Sequence, residues 1–210
     1  VCILVVVCLA LSGFVPIGAF YEEASLKDAI NGILESRMSV QPDSDAVLIS
    51  KLAENAGSPS SDWFAMAAAR VGRVSDGDIY LDALEEYVSE RYKKDDRLDA
   101  HKATEWHRIA LTVFSLGGDP TAFGTDADGS EINLIADGVY YRGRTEPLNS
   151  QGINGLIWGL ITLDAGHIQT PEDAYDTRNG IIEQIISAQC NDGGFSLDNG
   201  ASNADITAMA

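Results

Sequence analysis

The chain has 210 residues, of which 45% are apolar, enough to bury a sizeable core in one large domain or two small ones. Its formal net charge is −18. That excludes the basic stripe needed to hold nucleic-acid phosphates and disfavours docking on an anionic membrane surface.

Val1 to Leu11 is an uninterrupted apolar run, followed by Ser12-Gly13-Phe14-Val15-Pro16-Ile17-Gly18-Ala19, small residues with a helix breaker. This pattern predicts a secretory signal peptide over 1–19, cleaved near Ala19; the run is too short for a spanning helix. No initiator Met or basic segment precedes it, so the signal is expected to be truncated on its N-terminal side. The mature protein is then secreted or held at the cell surface, with no stable membrane span. Val7 is too large for the position before a lipidated Cys8. With the leader removed, Cys190 is the sole thiol, which leaves no intrachain disulfide and no multi-cysteine metal site.

Two kinds of helix alternate after Phe20. Leu26, Ala29, Ile30, Ile33, Leu34 and Met38 repeat at i, i+3, i+4 spacing, with Ser25 and Asp28 resembling a capping box. Ser61–Val71 is apolar nearly all round and ends at Gly72. Asp78–Tyr92 is amphipathic through Tyr80, Leu84, Tyr87 and Val88. Thr104–Leu116 is apolar all round again and ends at Gly117, as does Gln151–Ile161 running on to Gly166. Another amphipathic helix is expected to start at Thr170-Pro171 and to carry Ile182, Ile185 and Ile186 before Gln189. Asp205–Ala210 begins a further buried helix. The terminating glycines are 45 and 49 residues apart. Helices apolar all round are buried on every side, whereas the amphipathic ones keep a wet face. The pattern predicts an all-α fold of helical hairpins, arranged as a ring or as an open solenoid.

The segment Gln189-Cys190-Asn191-Asp192-Gly193-Gly194-Phe195 resembles the repeat motif of squalene cyclases and protein prenyltransferases. In that motif a Gln near the end of an outer helix staples a glycine loop that returns to the next inner helix. Ser61-Asp62-Trp63, Thr104-Glu105-Trp106-His107-Arg108 and Gln151-Gly152-Ile153-Asn154-Gly155 are similar to blocks of secreted bacterial surface proteins with a transcobalamin- or intrinsic-factor-like helical domain. The resemblance covers roughly 25–210. It implies an (α/α) toroid of the terpenoid-cyclase superfamily over 20–210, truncated at the C-terminus. Cyclases carry Asp-x-Asp-Asp-Thr at the head of an inner helix, and here the stretch reads Asn203-Ala204-Asp205-Ile206-Thr207. Asp205 alone is a weak candidate acid, because proton donation to an alkene needs tuning neighbours. Cys190 lies inside the glycine loop, and His101, His107 and His167 lack paired spacing, so no metal site is expected. Asp126-Ala127-Asp128-Gly129-Ser130-Glu131 lacks ligands of a calcium loop and reads as a polar turn.

In a toroid the inner helices run one way and their N-termini gather at one mouth. That would place Asp62 and Trp63, Glu105 with Trp106 and His107, Gln151 with Asn154, and Asn203 with Asp205 on a common rim. Ligand-binding candidates are therefore Trp63, Glu105, Trp106, His107, Gln151, Asn154 and Asp205, since convergent polar groups among aromatics make a small-molecule site. The expected function is an extracellular, non-catalytic binding or scaffold domain without a resident cofactor. It would hold a corrinoid or another bulky molecule together with a downstream domain of the same chain. The alternative is an enzyme of the terpene cyclase or prenyltransferase type, which secretion disfavours because isoprenoid diphosphates are made and used inside the cell. A carbohydrate-active enzyme would need two facing carboxylates, for which Glu105 and Asp205 are the candidates.

Overall fold

The computed structural model describes Ser50–Ala210 apart from Asn199, together with Asp28, Ala29, Gly32, Ile33 and Ser36, which are helical. The expected signal peptide over 1–19 and the cap residue Ser25 lie outside the described residues. The chain divides into two units, Val1–Val47 and Leu48–Ala210. The second unit holds helices α1 (Ser50–Ala53), α2 (Pro59–Arg70), α3 (Gly77–Asp95), α4 (Thr104–Ser115), α5 (Ile153–Ala165), α6 (Arg178–Ser187) and α7 (Ala204–Met209). A π-helical turn, Ala136–Tyr140, and a 3-10 turn, Arg142–Arg144, lie between α4 and α5. Among the described residues there is no strand, only isolated bridges at Thr125–Glu131 and Gln189–Phe195.

Local chemistry sets most of the helix ends. Pro59 opens α2, where its missing N–H costs nothing. Gly72 and Gly117 take positive φ, 71° and 86°, and end α2 and α4 in the left-handed conformation that a side chain resists. The third terminator works differently. Gly166 has φ −95°, and His167 adopts the positive φ instead. A Cβ on Gly166 would run into the Phe114 ring, so this glycine serves close packing of α5 on α4 rather than a turn. The start expected at Thr170-Pro171 also moves. Pro171 begins a turn closed by Ala174 N–H, and α6 starts at Arg178, capped by Thr177 Oγ1 accepting from Gly180 N–H at 3.1 Å. The hydroxyl satisfies an otherwise orphaned first-turn donor, so the cap decides the start.

α4 is buried continuously from Trp106 to Val113 and packs against both α2 and α5. Contacts along the pairs show their direction. Thr104 Oγ1 donates to Gln151 Oε1 at 3.3 Å near the starts of α4 and α5, while Phe114 meets Gly166 at their ends. Arg108 reaches back to Gly57 and Asp62, and Thr112 to Asp62. Thus α2, α4 and α5 run the same way. The antiparallel returns lie beside them. α3 brings Leu81 beside Gly118 and Tyr92 to Trp106, and α6 brings Arg178 to Asp164 at 2.8 Å. α3 turns Tyr80, Leu84, Val88 and Tyr92 inward at strict i+4 spacing, one stripe of an amphipathic helix.

Asp62, expected on a cavity rim, is instead a core residue with 0% exposure. Its Oδ1 accepts from Gly57 N–H at 2.9 Å and from Tyr80 O–H at 2.6 Å, and its Oδ2 accepts from Arg108 Nε at 2.8 Å. Arg108, 4% exposed, also donates to Gly57 O at 2.7 Å and pairs with Glu105 at 2.9 Å. Burial and the adjacent carboxylate push the Tyr80 hydroxyl far above its ordinary range, so it remains a donor. Removing one partner of such a network strands a buried charge. Asp62→Ala is expected to cost about 3–5 kcal/mol in urea unfolding. Tyr80→Phe, which leaves the ion pair intact, is expected to cost about 2 kcal/mol.

Candidate functional site

The residues picked out by the sequence divide among several places. Trp63 of α2 and Trp158 of α5 are half-buried and in contact, with ring centroids 5.3 Å apart and planes inclined by 53°. Glu105 is committed to Arg108, and Gln151 to Thr104. Asn154 carries a buried Oδ1 without a hydrogen-bond partner among the described residues. Asp205 is exposed on α7, and its backbone N–H donates to Asn203 Oδ1 at 2.8 Å. Trp158 was not among the sequence candidates. The glycines at 155 and 159 in Gly155-Leu156-Ile157-Trp158-Gly159 were its signal: they line one face of α5, against Leu148, and Trp158 stands off that stripe.

Trp106 and His107 hold the irregular return between α4 and α5. Asn133 Oδ1 accepts from Ile135 N–H at 3.1 Å and Ala136 N–H at 2.8 Å and so starts the π-helical turn. That turn lays Gly138 on Trp106 so closely that a Cβ there would clash with the Trp106 side chain. His107 Nε2 donates to Gly138 O at 2.7 Å, while its buried Nδ1 has no hydrogen-bond partner among the described residues. That fixes a neutral ring protonated at Nε2. Complete burial pushes its pKa down to about 4. Trp106 is 1% exposed, and its Nε1 donates to Tyr92 Oη at 2.7 Å. The Tyr92 hydroxyl donates in turn to Asp137 Oδ2 at 2.7 Å. Over the Trp106 ring, 4.5 Å from its centre, lies the guanidinium of Arg142, a side chain only 3% exposed.

Tyr92, Trp106, Asp137, Tyr141 and Arg142 wall a cavity of about 390 Å³, a volume suited to a small molecule. Asp96, Arg97, Asp126 and Glu131 also line it. Asp137 is open to solvent yet stands inside this concavity. Partial burial, with Asp96 adding to it, raises its carboxyl above the usual range, against the opposing Tyr92 bond and Arg142 charge. Desolvation lowers Arg142. π-helical turns recur at functional sites, because the widened turn projects side chains that an α-helix would not. Sequence reasoning missed Asp137, Tyr141 and Arg142. The available signal was a lone carboxylate in the run Ile132 to Tyr141, followed at once by a cation.

Among the described residues no group of three or more His, Cys, Asp or Glu side chains could hold a metal ion, and no helix is long and apolar enough to cross a membrane. Comparison with family models, with curated proteins and with solved structures gives no match.

The buried imidazole makes folding pH-dependent. The folded chain protonates His107 only near pH 4, whereas an unperturbed His protonates near 6.5. The contribution is therefore complete above pH 6.5 and is lost as pH falls toward 4, reaching about 3 kcal/mol. Asp137 acts the other way: its raised carboxyl keeps a proton that the unfolded chain has shed, so its contribution declines as pH rises from the usual carboxylate value. His107→Leu is expected to flatten the acid limb of the urea midpoint against pH relative to the native chain. An unchanged slope would place the acid sensitivity elsewhere.

Proposed function

We propose that this chain is a non-catalytic extracellular binding domain, the beginning of an (α/α) toroid, that takes a bulky small molecule on the concave side of its inner helices. A corrinoid, held together with a downstream domain of the same chain, is the ligand that the resemblance favours. The observation that carries this is the parallel course of α2, α4 and α5, with Trp63 and Trp158 touching across α4. Helices pack about 8–10 Å apart, so a flat layer would set α2 and α5 roughly 16–20 Å apart. Indoles in contact over that span favour a layer curving toward them. The antiparallel return of α3 between α2 and α4 is also what a ring of hairpins requires.

The enzyme alternative is weaker. Asp205 is exposed, and its carboxylate accepts no hydrogen bond from a described residue, so nothing tunes it toward protonating an alkene. Secretion, argued from the apolar run over 1–19, also weighs against isoprenoid diphosphates as substrates.

Cobalamin and smaller corrinoids are expected to raise the melting temperature of the chain with increasing ligand concentration and to quench its tryptophan fluorescence. Trp63→Ala and Trp158→Ala are each expected to weaken that binding about tenfold or more, because an anchor aromatic supplies most of the contact. Asp205→Asn should leave it unchanged. Turnover of squalene or a prenyl diphosphate, abolished by Asp205→Asn, would overturn the binding proposal in favour of the enzyme.

A further inference from the structure

We propose that the cavity beneath the π-helical turn binds a small zwitterion, a free amino acid, with its carboxylate on Arg142 and its ammonium group on Asp137. This goes beyond the ring proposal and does not depend on it, since it rests on a different cavity and different residues.

Arg142 carries the first half. Two arginines in this unit are almost equally buried, Arg108 at 4% and Arg142 at 3% exposure. Arg108 has two carboxylates and a carbonyl. Arg142 has no ion pair among the described residues. It rests on the Trp106 ring, reaches Ala100 O at only 3.5 Å, and its buried Nε has no hydrogen-bond partner among the described residues. A buried charge is costly unless paired and hydrogen-bonded. An anion arriving in the cavity would supply what Arg108 receives from Asp62 and Glu105.

Asp137 carries the second half. Its Oδ2 is taken by the Tyr92 hydroxyl, whose position is fixed in turn by Trp106 Nε1. Its Oδ1 accepts no hydrogen bond from a described residue. The carboxylate is thus oriented but half-used, and an ammonium donor fits the vacant oxygen. Arg142 and Asp137 line one cavity without forming an ion pair with each other. Two opposite charges lining one cavity of about 390 Å³ match a ligand carrying both signs on a short skeleton. The carboxylates of Asp96, Asp126 and Glu131 around the same cavity outnumber Arg97 there, which disfavours simple anions and admits molecules bearing an ammonium group.

The test uses the full chain, with calorimetric titration and thermal shift against glycine, L-alanine, L-glutamate and L-lysine and against their N-acetyl and methyl-ester forms. At least one free amino acid is expected to bind at millimolar concentration or below and to raise the melting temperature. Blocking either end should weaken it about tenfold or more. Asp137→Asn keeps an acceptor for Tyr92 and is expected to fold, to lose about tenfold in affinity, and to stop discriminating against the N-acetyl form. Arg142→Met, which keeps an apolar stem on Trp106, should lose discrimination against the methyl ester. Absence of binding by every free amino acid, equal binding of the blocked forms to the native chain, or unchanged affinity in Asp137→Asn would each overturn the proposal. Because the blocked ligands are tested on the native protein, a folding failure of Arg142→Met does not remove the test.

Discussion

The carboxylate of Asp62 is the constraint on which the remaining architecture leans. Fully buried, it accepts from the loop before α2, from α3 and from α4 at once. A desolvated carboxylate tolerates no missing partner, so each bond demands its own element in its own place. Arg108 transmits the demand along α4 to Glu105, and Thr112 ties back to the Asp62 carbonyl at 3.4 Å. Once Tyr80 and Arg108 must meet the same carboxylate, α3 is laid along α2 and α4, and α4 is set parallel to α2. The apolar stripe of Tyr80, Leu84, Val88 and Tyr92 supplies the burial, but it would permit a slide by one turn, and the polar hub does not.

The second organising feature is the return between α4 and α5, which is not a helical hairpin. Where α3 and α6 are ordinary antiparallel helices, this return is a polar turn, a π-helical turn and a 3-10 turn. It is held by backbone proximity rather than by periodic side chains. Gly138 lets it touch Trp106, His107 grips its carbonyl, and Gly159 admits Val139 and Leu148 on the α5 side. Because this return lies close against α4 yet follows no helical register, it leaves a polar cavity beside Tyr92 and Trp106. Two residues that the sequence marked as ligand contacts, Trp106 and His107, thereby become the supports of that cavity: one is its wall and the other is an anchor behind it.

Much of the fold was legible in local chemistry. Composition and the alternation of all-apolar with amphipathic segments determined an all-α chain, the positions of α2 to α7, and the glycine stops at Gly72 and Gly117, since each depends on a few adjacent residues. The start of α6 was misplaced because Pro171 and Thr177 both offer a helix opening, and only the hydroxyl bond to Gly180 shows which is used. The site was less legible. Asp62 in the core and Asp205 on the surface are both acidic residues near the start of an apolar helix, alike in sequence and opposite in environment. Their difference lies in partners 18 and 46 residues away, Tyr80 and Arg108. The same holds for Trp106, Tyr92, Asp137 and Arg142, joined across as many as 45 residues by a return with no periodicity to announce it. Helix type and the glycine stops at Gly72 and Gly117 are short-range properties, so the sequence determined them alone, whereas the start of α6 and the role of Gly166 were not read from it. Which charges are paired, which aromatics are walls and where a cavity opens depend on contacts between distant segments, and only the tertiary structure decided those.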